Sequence, residues 1–252
     1  MPVGLSIDSG VATITLQTPE NRNALSVRLR RALHAHLASS VADPQVKVIV
    51  LTGAGPVFCA GADLKEGLVE GPDIPSVTSI LRLLMDASKP TLAVLNGPAR
   101  AGGIGLVAAC DMAIAPDTAT FAFSEVRIGV IPAIISVPCL AVMDPRAAAR
   151  YFLTGEVFDA DAAVAAGLLT LTAPVPEIDG LREHLLAGLR EGAPAALAGT
   201  KRLLREVPGL PRDVAFDYAE RASAGFFRSA DAAEGRAAFA EKRPPSWSPR
   251  VP

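Results

Sequence analysis

The sequence predicts an α/β fold: apolar strands alternating with helices over residues 1–190, then a helical section over residues 191–252. Three observations carry that expectation. The runs "VKVIVLTG" (46–53), "PTLAVLNG" (90–97) and "MAIAP" (112–116) are apolar throughout rather than alternating, with helical stretches between them. Such strands belong to a parallel or mixed sheet covered on both faces. Strand-like sequence then disappears from about Pro194, where three proline-punctuated segments take over. Finally, half of the 252 residues are apolar and a fifth charged, enough to bury a sizeable core.

Taken in order, "VGLSIDSGVATITLQTP" reads as a hairpin turning at Asp8, Ser9 and Gly10. Ser26 caps a helix whose Leu25, Leu29, Leu33 and Leu37 recur every four residues. His34 and His36 flank that stripe without a partner at metal-ligand spacing, so they read as helix-surface residues and no metal site is expected. Arg28, Arg30 and Arg31 read as a solvated face of the same helix. A second helix is expected around residues 76–86. "TAPVPEIDG" (172–180) is the candidate linker to the rest of the chain. Beyond it, "PAALAGTKRLLREV", "PRDVAFDYAERASAGFF" and "SADAAEGRAAFAEKRPP" read as three helices.

Composition narrows the function classes. The formal charge is −2 and no basic stripe appears, which argues against a nucleic-acid partner. The longest apolar run, "IGVIPAIISVPCLAVM" (128–143), is shorter than a spanning helix and carries Pro132 and Pro138. It reads as core, with no membrane partner. No signal-peptide pattern opens the chain. Cys59, Cys110 and Cys139 lie apart in apolar surroundings, as buried free thiols of a reducing, cytoplasmic compartment. The heavy use of Ala, Arg and Pro suggests a GC-rich bacterial genome.

Two strand ends carry the chemistry. Both "LTGAGPVFCAGADLKE" (51–66) and "VLNGPARAGGIGLVAACD" (94–111) leave a strand through glycines and enter a helix. Glycines there permit sharp turns at positive φ, which is one reading. The other is that both loops present bare backbone N–H groups, which bind an anion or stabilise developing negative charge. Arg100, just before the second set of glycines, reads as a substrate contact or a surface arginine. Asp111 reads as structural. Glu125 lies between "FAFS" and "VRIG", an apolar setting that raises a carboxylate's pKa and suits it to proton transfer. Without further information it is equally a partly buried acid paired with Arg127 or another base.

Six segments in order resemble the crotonase superfamily, the enoyl-CoA hydratase/isomerase family, over nearly the whole chain: "PENRNALS" (19–26), "FCAGADLKE" (58–66), "NGPARAGGIGLVAACD" (96–111), "ATFAFSEVRIGVIP" (119–132), "LTGEVFDADAAVAAGLL" (153–169) and "EGRAAFAEKRPPSW" (234–247). The resemblance implies a spiral of ββα units with a C-terminal helical section that forms trimers, often paired into hexamers. It makes Phe226, Phe227 and Phe239 helix-packing or interface residues. It implies an acyl-CoA thioester substrate, with coenzyme A as part of that substrate and no permanently bound cofactor. Ala62 and Gly102 would be the N–H donors to the thioester oxygen, and Glu125 the principal acid/base. Arg22, Asn23, Ala24 and Leu25 would lie near the adenosine part of CoA and Lys65 near its phosphates. Lys242 would reach CoA, in some members from a neighbouring subunit. Ala60, Asp63, Leu64 and Gly103 complete the implied contacts. The acyl pocket would be lined around residues 64–84 and 131–142.

The chain departs from the pattern at Gly105. Hydratases that the sequence resembles carry a first glutamate there, three residues after the oxyanion glycine, and Ile104, Leu106 and Val107 offer no substitute. The leading expectation is a 2-enoyl-CoA hydratase, a lyase, of fatty acid metabolism. The alternatives are a double-bond isomerase or a decarboxylase working with one carboxylate, or a catalytically weak acyl-CoA-binding protein.

Overall fold

A computed structural model describes residues 1–248 except 68, 70 and 72. The expected hairpin is β1 (Val3–Asp8) and β2 (Val11–Leu16), joined by a turn in which Ser9 and Gly10 take positive φ. Ser26 caps α1 (Val27–Ala42), its hydroxyl accepting from the Leu29 N–H, and Leu29, Leu33 and Leu37 are fully buried. β3 (Val48–Gly53) follows, then α2 (Val77–Asp86), β4 (Thr91–Val94) and the short β5 (Ala99–Arg100). Next come α3 (Gly102–Ala109), β6 (Met112–Pro116) and β7 (Thr120–Ala122). The chain continues through α4 (Ala133–Val142), α5 (Pro145–Thr154), β8 (Phe158–Asp159), α6 (Ala160–Ala165) and β9 (Leu171–Ala173). Four helices end it: α7 (Ile178–Glu191), α8 (Pro194–Glu206), α9 (Arg212–Phe227) and α10 (Ala230–Glu241).

The main sheet has the order β1-β2-β3-β4-β6-β9 and is parallel except for the β1–β2 pair. Its strands are apolar on both sides because both sides are covered. Ile49 and Leu51 face the core shared with α1 and α2, while Val48 and Val50 face Ile178 and Leu186 of α7. A smaller sheet, β5-β7-β8, stands beside it and carries the second set of loops.

The expected linker at 172–180 is a correction. Thr172 and Ala173 belong to β9, and Ile178 is buried where α7 packs on the sheet. Its prolines and glycine shape a strand-to-helix turn; burial of Ile178 and Leu186 decides the packing. The C-terminal section is anchored by a different device. Lys201 of α8 is 6% exposed and donates to the carbonyls of Leu84 and Lys89, both at 3.1 Å, while pairing with Asp111 at 2.8 Å. Asp111 also accepts from the Thr91 N–H and hydroxyl, so it is structural as expected. Arg30 is not simply solvated either: it donates to the carbonyls of Pro75 and Val69 and holds the loop before α2.

Candidate active site

The parallel strands end on one side of the sheet, and the two glycine loops meet there. Asn23 organises the first. It is fully buried, its Oδ1 accepting from the Thr18 N–H at 2.8 Å, its Nδ2 donating to the carbonyls of Ala54 (3.0 Å) and Val57 (2.8 Å). The Leu25 N–H then donates to the Gly61 carbonyl at 2.8 Å, and the Ala60 N–H to Arg22 at 3.0 Å. Gly61 sits at φ +87°, and a Cβ there would lie 2.8 Å from the Ala101 Cβ and 3.0 Å from the Gly102 nitrogen. No side chain fits between the loops, so Ala62 and Gly102 are brought side by side.

The second loop enters α3 through Ala101, a non-glycine residue held at φ 48°, ψ −122°. That backbone conformation is costly and is kept only where surrounding structure imposes it. Ala101 is pinned by its N–H to the Ala122 carbonyl, and its own carbonyl accepts from Ile104. The first N–H groups of α3 have no partner within the helix, and the helix dipole adds positive potential at that end. Two backbone donors therefore border one space.

Glu125 faces that space from the 3₁₀ turn of residues 124–128, just beyond β7. The turn is fixed from behind by an aromatic cluster in which Phe123 packs on Phe152 at 4.0 Å and Tyr151 on Phe158 at 3.9 Å between centroids. Burial pushes the Glu125 carboxyl above its ordinary range, only partly offset by its own backbone N–H. Its Oε2 is buried with no hydrogen-bond partner, and no ion pair to Arg127 forms among the described residues. An uncompensated carboxylate in an apolar wall holds a proton more readily than one in water.

The resulting cleft has a volume of about 320 Å³ and is lined by Leu25, Ala60, Ala62, Leu64, Gly102 and Glu125, together with apolar residues of 128–135. Among the described residues Glu125 is its one charged side chain. Several expected contacts are not brought to it. Arg22 and Lys65 are exposed outside the lining, and Asp63 is turned aside to accept from Asn21 and Lys65. Asn23, Ala24 and Gly103 are buried in the wall behind. Lys242 lies on the tail, whose Trp247 carbonyl accepts from Lys47 beside the start of β3, the opposite end of the strands. Arg100 is spent on the carbonyls of Ala99 and Thr120 and on the Thr120 hydroxyl, so it is a packing residue. Of the expected acyl stretch at 64–84, Leu64 and Val77 line the cleft; residues 68, 70 and 72 lie outside the described residues.

Two features escaped sequence reasoning. One is the buried Asn23 staple, whose only signal is an Asn between Arg22 and Ala24 in a loop where both Arg22 and Asn23 take positive φ. The other is Ile135, 3% exposed, which covers Gly105.

Residues 6–250 match the family described as enoyl-CoA hydratase/isomerase. This chain belongs to that family, within the crotonase superfamily. A Thermus thermophilus protein named provisionally as an enoyl-CoA hydratase is 37% identical over 245 residues, covering 94% of this chain and 97% of that one. The hydroxycinnamoyl-CoA hydratase-lyase of Pseudomonas fluorescens is 33% identical, covering 86% and 82%. The crystal structure of an enoyl-CoA hydratase from Mycobacterium smegmatis superposes with a TM-score of 0.90 at 31% identity, covering 98% and 99%. The crotonase fold expected from the sequence is thus present. Members of the family are acyl-CoA-processing enzymes, and so is this chain. Among the described residues no helix is long and apolar enough to cross a membrane.

Proposed function

We propose that this enzyme relocates a proton on an enoyl-CoA thioester, shifting a double bond between C3 and C2 with one carboxylate, Glu125. The observation that carries the reading is that, among the described residues, Glu125 is the only charged group lining an apolar cleft that Ala62 and Gly102 border. Glu125 removes a proton from C2 of a 3-enoyl thioester, and the electron pair moves to the thioester oxygen as a dienolate. The two N–H groups hold that oxyanion, each such donor contributing about 10²–10³ in rate. The same carboxyl then returns its proton at C4, leaving the conjugated 2-enoyl thioester. Atoms balance without water, metal or redox partner.

Hydration of a 2-enoyl-CoA is the second reading, favoured by the names of the relatives. It asks more of the site, because water addition across the double bond is served by two acids and Gly105 supplies none. The test uses purified protein with 3-enoyl-CoA and crotonyl-CoA, following appearance or loss of the conjugated enoyl absorbance. Glu125→Gln should lower isomerisation about 10²–10⁴-fold. Fast hydration without isomerisation by the wild type, or full isomerisation by Glu125→Gln, overturns the proposal.

Assembly as a homotrimer or a dimer of trimers is part of the same reading. α9 has no buried residue, and Phe216, Phe227 and Phe239 stand exposed, as do Ile134, Val137 and Leu140 of α4. Light scattering on the purified protein tests it; a monomer at micromolar concentration refutes it. Three unpaired buried thiols support a cytoplasmic setting.

A further inference from the structure

Gly105 lies three residues after Gly102, on the first turn of α3, and is buried. A Cβ built there runs first into Ile135. The three nearest heavy atoms all belong to Ile135: its Cα at 3.7 Å, its Cβ at 3.0 Å and its Cγ2 closer still. Ile135 is the third residue of α4, a helix whose other large aliphatics, Ile134, Val137, Leu140 and Val142, are all exposed. Ile135, Pro138 and Cys139 are the side chains that α4 drives inward. Ile135 also lines the cleft with Glu125. The cleft wall over Gly105 is therefore a β-branched hydrocarbon seated on a bare glycine.

We infer that Ile135 is the specificity-determining residue of this site: by filling the space over Gly105 it excludes a second carboxylate and the water it would orient, committing the cleft to proton relocation rather than water addition. The inference rests on the proposed function for its chemistry and on the Gly105–Ile135 packing for its geometry. Gly105 and Ile135 act as one unit. A side chain at 105 needs a smaller one at 135, and a smaller residue at 135 opens a gap beside Glu125. The hydrocarbon also denies hydrogen-bond partners to anything polar that enters, and an unpartnered polar group there is disfavoured.

Two measurements test this. In a thermal-melting cycle, Gly105→Ala should lower Tm by about 5 °C in the wild type, as expected for overpacking. In the Ile135→Ala background the same change should cost less than half as much, the remaining 3.0 Å contact needing only a small shift of α4. Equal costs in both backgrounds overturn the inference. In the second, Gly105→Glu combined with Ile135→Ala should hydrate crotonyl-CoA about 10²-fold faster than wild type. Gly105→Glu alone should not. A folded double variant with no gain, or a single Gly105→Glu that melts and hydrates like the double, overturns it. Should the double variant fail to fold, Ile135→Ala alone decides: its ratio of hydration to isomerisation should rise about 10-fold, and an unchanged ratio refutes the role. If Glu125→Gln retains every activity, the proposed function fails, while the melting cycle and the gained hydration still judge Ile135.

Discussion

Gly103→Ala probes how the fold places the oxyanion donors. Gly103 is the second residue of α3 and is buried against the first glycine loop. An added Cβ would lie 2.9 Å from the Cys59 Cβ and 3.0 Å from its carbonyl carbon, with the carbonyl oxygen nearer still. Favourable carbon contacts lie near 3.5–4.0 Å, so at least about 0.5 Å must be found. The obstacle is mostly backbone, and Cys59 is tied down by accepting from the Arg100 N–H at 3.0 Å. Overpacking costs about 1–3 kcal/mol, against which alanine recovers about 1 kcal/mol of helix propensity. A net loss of up to about 2 kcal/mol should lower Tm by up to about 8 °C in a chain of this size. The functional cost is larger, because α3 can yield only by moving Gly102 away from Ala62. Misplacement of about 1 Å costs about 10² in rate, so kcat/KM for the 3-enoyl thioester should fall at least about 10-fold. Gly188→Ala is the control, since nothing lies within 4 Å of its Cβ position in α7. It should raise Tm and leave kcat/KM alone. A Gly103→Ala enzyme with wild-type kcat/KM would refute the reasoning.

Lys201→Met strands Asp111 and two carbonyls; since Asp111 keeps its Thr91 bonds, the loss should sit near the low end for a broken buried pair, about 3 kcal/mol. That is a fall in Tm of about 6–12 °C, partly recovered by adding Asp111→Asn; an unshifted melt refutes the anchoring role. Asn23→Ala leaves the Thr18 N–H and two carbonyls without their partner and puts alanine at φ 54°, so calorimetry should show a loss of about 3–5 kcal/mol, and a loss below 1 contradicts the staple. Because the Glu125 pKa is raised on folding, its ionised form opposes folding: the stability it contributes is complete below the ordinary glutamate range and is lost as pH rises through the raised value. Glu125→Gln should therefore melt higher than wild type at pH 7, and that advantage should vanish below about pH 4.3. With Glu125 as the base, kcat/KM should rise with pH through the same raised pKa; a flat profile would remove it from that role.

Much of the architecture was legible in the residues. The hairpin turn, the Ser26 cap, the Leu29, Leu33 and Leu37 stripe and the three terminal helices each follow from local chemistry and appear where expected. Leu25, before the cap, turns into the cleft instead of joining the stripe. The loop at 172–180 misled because proline and glycine report only that the chain bends. Whether the bend is a linker or a packed turn depends on what Ile178 meets, and it meets the sheet. Lys65 and Lys242 look equally suited to phosphates as letters, yet neither lines the cleft, and the tail lies at the far end of the strands.

Sequence alone determined the fold class, the family to which the chain is similar and the two glycine loops, and it singled out Glu125 as the acid/base candidate. These are local patterns, and local patterns survive being read in one dimension. What lies above Gly105 was decided only in three dimensions. Ile135 is thirty positions away and looks like any pocket aliphatic until α4 packs on α3. A glycine is written the same way whether it leaves room or is filled from outside, and only packing tells the two apart.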